Sequence, residues 1–158
     1  MEHLLRRFRL SWLPWNDRLS CAGCYLMLAT ALNLCWELAQ LPLYTLWQEA
    51  PLSRSLFAAA HCTLGDLIIA AVTLALSVVL VGRNWPNHNY LKTAVCAVVL
   101  GVAYAILSEW LNVEVRRTWA YSSMMPRLPW LGTGLAPLLQ WLVVPASSFL
   151  ILRQLARV

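Results

Sequence analysis

Four long apolar runs, covering about residues 19–41, 56–82, 93–113 and 131–152, constrain this chain more than any other feature. Each run is close to or longer than the roughly 20 residues that a helix needs to cross the hydrocarbon core of a bilayer. Because lipid offers no hydrogen-bonding partners, the backbone of a spanning segment must satisfy its own polar groups, as an α-helix does. Only 12% of the residues are charged, against roughly 25% in an average soluble domain. The sequence therefore predicts an all-α, polytopic membrane protein, a single domain of residues 1–158 folded as a four-transmembrane-helix bundle.

The positive residues predict how this bundle lies in its membrane. Cytoplasmic loops of membrane proteins carry an excess of Lys and Arg, and eight of the 12 such residues here flank the same ends of the four runs. The N and C termini are therefore predicted to be cytoplasmic, in a bacterial inner membrane, and the net charge of +5 needs no nucleic-acid partner. The predicted cytoplasmic residues are Arg6, Arg7, Arg9, Arg18, Arg83, Lys92, Arg153 and Arg157, and the four predicted on the outer side are Arg54, Arg116, Arg117 and Arg127.

Three of the seven acidic residues, Glu37, Asp66 and Glu109, lie inside predicted membrane helices. A carboxylate at the bilayer centre costs roughly 2.5–3.5 kcal/mol on insertion, and Leu at the same position would avoid that cost. Polar contacts between membrane helices contribute on average only about 0.6 kcal/mol, with a maximum near 1.7, so they do not offset three carboxylates. The pattern favours a functional site, and the alternative is a device that packs the helices together.

The polar residues of the predicted helices converge on one depth, near the outer end of the bundle. Asn33, Glu37 and Gln40 are spaced i, i+4, i+7 and form one stripe on the last two turns of the first helix. His61 and Asp66 lie in the second predicted helix, five residues apart and thus about 140° around the helix axis. Both can face the bundle only if they lie on either side of the inward face of that helix. The predicted catalytic residues are Glu37, His61, Asp66 and Glu109, and the predicted substrate-binding residues are Asn33, Gln40, Asn112, Trp119, Tyr121 and Gln140.

Carboxyl groups and a His at one depth support two kinds of chemistry. They supply a general acid, a general base and an orienting hydrogen bond, and a neutral Glu in low dielectric can protonate an alkene or an alcohol. They also supply ligands suited to a divalent Zn, Fe or Mn ion. In that case His61, Glu37 and Glu109 are the predicted metal ligands.

The segment 114–130, between the third and fourth runs, lies on the same side as these polar residues. Trp119 and Tyr121 make it apolar for a loop, and Pro126 and Pro129 disfavour helix. One interpretation is a lid over a polar pocket. The other is an interfacial loop with Trp anchors and snorkelling Arg side chains.

Cys21 and Cys24 form a C-x-x-C pair at the start of the first apolar run. Such a pair can be a redox couple or half of a metal site. No second pair accompanies it on that side, so the role of these cysteines stays open between redox chemistry and core packing.

Three short stretches carry a resemblance to other sequences. Residues 36–44 read Trp-Glu-Leu-Ala-Gln-Leu-Pro-Leu-Tyr, residues 61–66 read His-Cys-Thr-Leu-Gly-Asp and residues 108–113 read Ser-Glu-Trp-Leu-Asn-Val. With these stretches the chain resembles a widespread type of small four-helix bacterial integral membrane protein. The resemblance implies the fold and no function.

Three functions are compatible with the pattern. The leading hypothesis is a membrane-embedded enzyme that acts on a lipid-like or isoprenoid substrate from the outer leaflet, by acid/base or metal-assisted chemistry. It predicts a pocket that opens sideways to lipid beside Glu37, His61 and Glu109. The second is a small metal-handling or proton-coupled transporter, which needs a polar path to the cytoplasm. The third is an accessory or assembly subunit of an oligomer or a larger membrane complex.

Overall fold

Four helices that are long and apolar enough to cross a membrane make up most of the described chain. The computed structural model describes residues 18–82, 84–130 and 132–157. In chain order the helices are α1 (Arg18–Gln40), α2 (Leu46–Glu49), α3 (Leu52–Val81), α4 (Tyr90–Trp110) and α5 (Leu135–Arg157), with a 3₁₀ turn (Leu41–Leu43) after α1 and a π-helical turn (Leu111–Val115) after α4.

The four predicted helices are confirmed, but three of them begin three or four residues from the predicted position. Helix α4 begins at Tyr90 rather than 93. Helix α3 begins at Leu52 rather than 56, directly after Pro51, which is tolerated there because the first turn of a helix needs no N–H from it. Helix α5 begins at Leu135 rather than 131, because Gly132 has a φ of 65° and turns the chain before the helix starts. Only a glycine adopts that left-handed conformation at little cost. Helix α5 also continues past 152, to Arg157.

The predicted orientation depends partly on residues that are not described. Arg6, Arg7, Arg9 and Arg83, four of the eight positive residues predicted on the cytoplasmic side, lie outside the described residues. The fold therefore establishes four helices compatible with membrane spans, and the side on which each terminus lies stays a prediction.

The four long helices pack as a ring. Helix α1 lies mainly against α3 and α5, and α4 lies mainly against the same two helices. Small buried residues at these contacts include Ala29, Ala59, Ala97 and Gly101. Small side chains let helix backbones approach closely, which is the usual way in which membrane helices pack.

An aromatic core fills the end of the bundle where α1 begins and α5 ends. The rings of Tyr25 and Phe149 pack with their centroids 4.4 Å apart, and the hydroxyl of Tyr90 donates a 2.7 Å hydrogen bond to the backbone oxygen of Phe149. The buried hydroxyls of Thr73 and Ser77 donate to backbone oxygens of their own helix, at 3.1 and 2.7 Å. These hydroxyls are therefore satisfied locally and do not join one helix to another.

At the opposite end, two connections cover the bundle together, and we call residues 41–51, 116–130 and 132–134 the cap. The backbone N–H of Ser122 donates to the carbonyl of Leu43 at 2.9 Å. The hydroxyl of Ser122 donates to the carbonyl of Pro42 at 3.1 Å, across a separation of 80 residues in sequence. The two pieces of the cap are thus joined to each other over the end of the helices.

Gly101 lies where α4 approaches α5 closely, because a Cβ built on it would overlap the ring of Trp141. We therefore expect Gly101→Ala to lower the free energy of unfolding by about 1–3 kcal/mol, the usual cost of overpacking. The matched control is Gly23→Ala in α1, where a Cβ meets nothing within 4 Å and Ala favours the helix by roughly 0.5–1 kcal/mol. Thermal unfolding in detergent compares the two, and equal stability of both variants would contradict the packing described here.

Candidate functional site

The stripe predicted on α1 is buried. Asn33, Glu37 and Gln40 are 3%, 8% and 5% exposed, although all three side chains are polar. Asp66 of α3 and Gln140 of α5 are also buried. Gln140 is hydrogen-bonded to the stripe, and Asp66 is hydrogen-bonded to Gln140. We call these five residues the polar cluster.

Gln140 holds the polar cluster together. Its Nε2 lies 3.0 Å from Oδ1 of Asn33, 3.0 Å from Oε1 of Glu37 and 3.0 Å from Oδ2 of Asp66. Its Oε1 accepts a 3.1 Å hydrogen bond from Nε2 of Gln40, and that nitrogen also donates to Glu37 at 2.9 Å. One side chain of α5 therefore binds both α1 and α3.

Gln140 does not satisfy all of its neighbours at once. Its amide nitrogen has two hydrogens, too few for full hydrogen bonds to three acceptors. Asn33, Glu37 and Asp66 therefore share these two hydrogens.

Glu109 forms a second acidic centre, which is tied to the cap. The hydroxyl of Tyr121 donates to Oε2 of Glu109 and accepts a 3.0 Å hydrogen bond from the backbone N–H of Gly134. Burial, and next the hydrogen bond to Glu109, raise the pKa of Tyr121 above its ordinary value of 10.0. The hydroxyl therefore stays protonated, and able to donate, at neutral and mildly alkaline pH.

A cavity of about 560 Å³ adjoins both acidic centres. Glu37, Gln40, Asp66 and Gln140 of the polar cluster line it, as does Glu109. Most of the other lining residues are apolar or aromatic. Ligand sites commonly combine an apolar wall with a few convergent polar groups, in cavities of roughly 300–1,000 Å³.

The cavity reaches the outside of the bundle beside α3 and α4. Phe57 and His61 of α3 and Tyr104 of α4 line it. Phe57 is 72% exposed and Tyr104 is 42% exposed, and His61 is exposed as well. We call these three residues the rim, since each lines the cavity and also faces outward.

The structure separates His61 from the other predicted catalytic residues. Its ring stacks on Phe57 with the centroids 6.1 Å apart, and no hydrogen bond joins it to a carboxyl group of the described residues. Asp66 is buried, whereas His61 is exposed, so of the two only Asp66 faces the interior of the bundle.

The predicted metal-ligand set, His61, Glu37 and Glu109, gains no support from this geometry. Within residues 18–82, 84–130 and 132–157, no group of three or more His, Cys, Asp and Glu side chains is placed to hold a metal ion. His61 stacks on Phe57 at the rim and is exposed, whereas Glu37 and Glu109 are buried.

Four of the six predicted substrate-binding residues line the cavity, namely Gln40, Gln140, Asn112 and Trp119, and two do not. Asn112 lines it, but its Nδ2 donates to the Ser108 carbonyl at 2.9 Å and its Oδ1 accepts from Thr118 at 3.0 Å. Trp119 lines the cavity from the cap. Asn33 and Tyr121 lie behind the lining, where they position Gln140 and Glu109.

Cys21 and Cys24 lie away from the cavity. Both are buried in the aromatic core with Tyr25. This position agrees with the core-packing interpretation of the C-x-x-C pair, and a redox role stays a prediction.

Sequence analysis did not assign Arg54, Tyr104 or Trp141 to the site, although all three line the cavity. A signal for Arg54 was present: it lies seven residues before His61, two helical turns along the same face of α3. Trp141 carries no such signal, because its contact with α4 does not follow from its own sequence.

We found no match to this chain among models of protein families, curated proteins or solved structures.

We expect Tyr121→Phe to loosen the cap. The change removes the donor to the buried Glu109 and the acceptor for Gly134, and an unsatisfied buried group costs about 1–3 kcal/mol. Limited trypsin digestion measures the loosening, since Arg116 and Arg127 in the cap are exposed.

Tyr104→Phe is the matched control for this experiment, because its hydroxyl makes no hydrogen bond within the described part of the chain. Faster cleavage only in Tyr121→Phe is the expected result. Equal cleavage rates in the wild type and both variants would contradict a role for Tyr121 in holding the cap.

Proposed function

We propose that this protein is a membrane-embedded enzyme that acts on a lipid-like or isoprenoid substrate by acid/base chemistry. The observation that carries the proposal is the cavity, which joins apolar walls and an exposed aromatic rim to three buried carboxyl groups. A bundle that used these carboxyl groups only for packing would not need a cavity of about 560 Å³ beside them.

The polar cluster supplies the acid in this proposal. In this proposal Glu37 and Asp66 share one proton beside the apolar walls, where a C=C bond or a hydroxyl group of the substrate is the available acceptor. Glu109, oriented by Tyr121, takes up a proton at another point of the same cavity. Two acidic centres with different surroundings are what general acid/base catalysis requires.

The rim supplies access from lipid. Phe57 and Tyr104 are exposed on the outer faces of α3 and α4, so a substrate chain can reach the cavity without passing through water. The cap covers the end of the bundle, and exclusion of water from a site strengthens its electrostatic interactions.

An accessory or assembly subunit is the second candidate, favoured by the contacts of Gln140. These hydrogen bonds join α1, α3 and α5 and would stabilise a bundle that has no activity of its own. A transporter is less well supported, because the aromatic core around Tyr25 and Phe149 fills the bundle at the end away from the cavity.

We also propose that both termini are cytoplasmic, that the cap faces outward and that the membrane is a bacterial inner membrane. The distribution of positive residues supports this orientation. In bacterial cells, a reporter that fluoresces only in the cytoplasm should be active when fused after Val158. A periplasmic reporter active at the same position would contradict the orientation.

We expect Glu37→Gln or Glu109→Gln to lower a lipid conversion by about 100-fold or more, since general acid/base groups contribute roughly that factor. The amide keeps the shape of the side chain but cannot transfer a carboxyl proton. Lipid extracts of native host cells with the wild type or either variant are compared by mass spectrometry, after growth in D₂O to mark sites of proton transfer.

Glu114→Gln is the matched control, because this carboxylate is exposed and does not line the cavity. The proposal requires the variants at 37 and 109 to change the lipid profile at unchanged protein level, and the control to leave it unchanged. Identical lipid profiles in all four strains would contradict an enzyme. Loss of folded protein as the only effect of the 37 and 109 variants would favour the accessory role.

A further inference from the structure

About half of α3 lines the cavity. The lining residues of this helix are 54, 57, 58, 59, 61, 62, 65, 66 and 69, and all of them except 59 follow the spacing of one broad helix face. At a rise of about 1.5 Å per residue, the backbones of Arg54 and Asp66 are about 18 Å apart along the helix axis. The cavity is therefore elongated, with a cationic side chain near one end and carboxyl groups near the other.

Among the described residues, Arg54 is the only Lys or Arg that lines the cavity. Its side chain is exposed and forms no ion pair with any residue that the structure describes. Glu49 and Glu114, acidic residues at the same end of the bundle, do not line the cavity. The guanidinium group is therefore available to an anion inside the cavity, and its planar fork suits phosphate and carboxylate groups.

The surroundings of Arg54 also favour an anion. It stands in the first turn of α3, which contains no acidic residue and has no side-chain cap. The exposed N–H groups of a helix N-terminus carry partial positive charge, so an anionic group near Arg54 interacts favourably with the helix as well as with the guanidinium.

We propose that the substrate is a lipid with an anionic head group, a phosphate or a carboxylate, which Arg54 binds at the mouth of the cavity. The inference rests on the proposed enzyme function and names its substrate class. The carboxyl groups of the polar cluster repel an anion while Arg54 attracts it, so the head group stays at the mouth. The chain then extends between α3 and α4 toward Glu37 and Asp66. The reacting group lies on the chain, about three turns of α3 from the head group.

The test uses three photoreactive probes that differ only in the head group: hexadecyl phosphate, hexadecanoate and hexadecanol, each with a diazirine in the chain. Purified protein in phosphatidylcholine nanodiscs is irradiated with each probe, and cross-links to Phe57, Tyr104 and Trp141 are counted by mass spectrometry. Cross-links to Trp141, which is only 6% exposed, distinguish a probe in the cavity from lipid at the surface.

We expect at least one anionic probe to label these residues about tenfold more than hexadecanol. A hydrogen bond between a charged head group and Arg54 strengthens binding by about that factor. Arg54→Gln should abolish this preference, so that anionic and neutral probes label the cavity about equally. Arg54→Lys should keep part of the preference. Since Arg54 is exposed, these variants are expected to fold. The control is Arg116→Gln, an exposed cap residue that does not line the cavity, and it should keep the full preference.

The two anionic probes decide between the sources of the head group, since a preference for one over the other assigns a phosphate or a carboxylate. Equal labelling of the cavity by anionic and neutral probes would overturn the head-group inference and leave the proposed function standing. An equal loss of preference in Arg54→Gln and Arg116→Gln would also overturn it. Absence of cavity labelling by all three probes would overturn the proposed function as well.

Discussion

The hydrogen bonds of the Gln140 side chain fix the part of the bundle on which the site depends. They satisfy buried polar groups of α1 and α3 from a single position on α5. In a lipid environment an unsatisfied polar group costs several kcal/mol, so each of these helices has a strongly preferred rotation about its own axis. A shift by one residue, about 100° around a helix, would move Glu37 or Asp66 from the polar cluster toward lipid.

The two ends of the bundle are built for different purposes. Around Tyr25 and Phe149 the side chains pack closely, and the buried hydroxyls of Thr73 and Ser77 bond within their own helix. Around Gln140 the helices leave a cavity and hold carboxyl groups next to it. A cavity lowers stability, and natural proteins accept such a loss where function needs the space. The closely packed end lets the bundle tolerate this loss.

Much of the fold follows from the sequence, because apolar runs of membrane length permit only helices. The spacing of Asn33, Glu37 and Gln40 also placed three side chains on one face, and all three are buried. The start of α5 was wrong by four residues, because a hydropathy pattern does not register the left-handed turn at Gly132.

The arrangement of the site was only partly predictable. Periodicity places Gln140 on an inward face, but its four partners depend on how three helices are rotated against each other, which no local pattern specifies. The pairing of Ser122 with Leu43 and Pro42 joins loops far apart in sequence and leaves no signal in either. Helical spacing did not decide whether the side chain of His61 faces the bundle together with Asp66, and in the structure this side chain is exposed.

We propose that the space beside the polar cluster holds a lipid chain. A structure determined from crystals grown in a lipid phase tests this most directly. We expect continuous elongated electron density between α3 and α4, with the head group near Arg54 and the chain passing Tyr104 toward Glu37 and Asp66. A collapsed cavity, with Trp141 and Tyr104 packed directly onto the carboxyl groups, would contradict it.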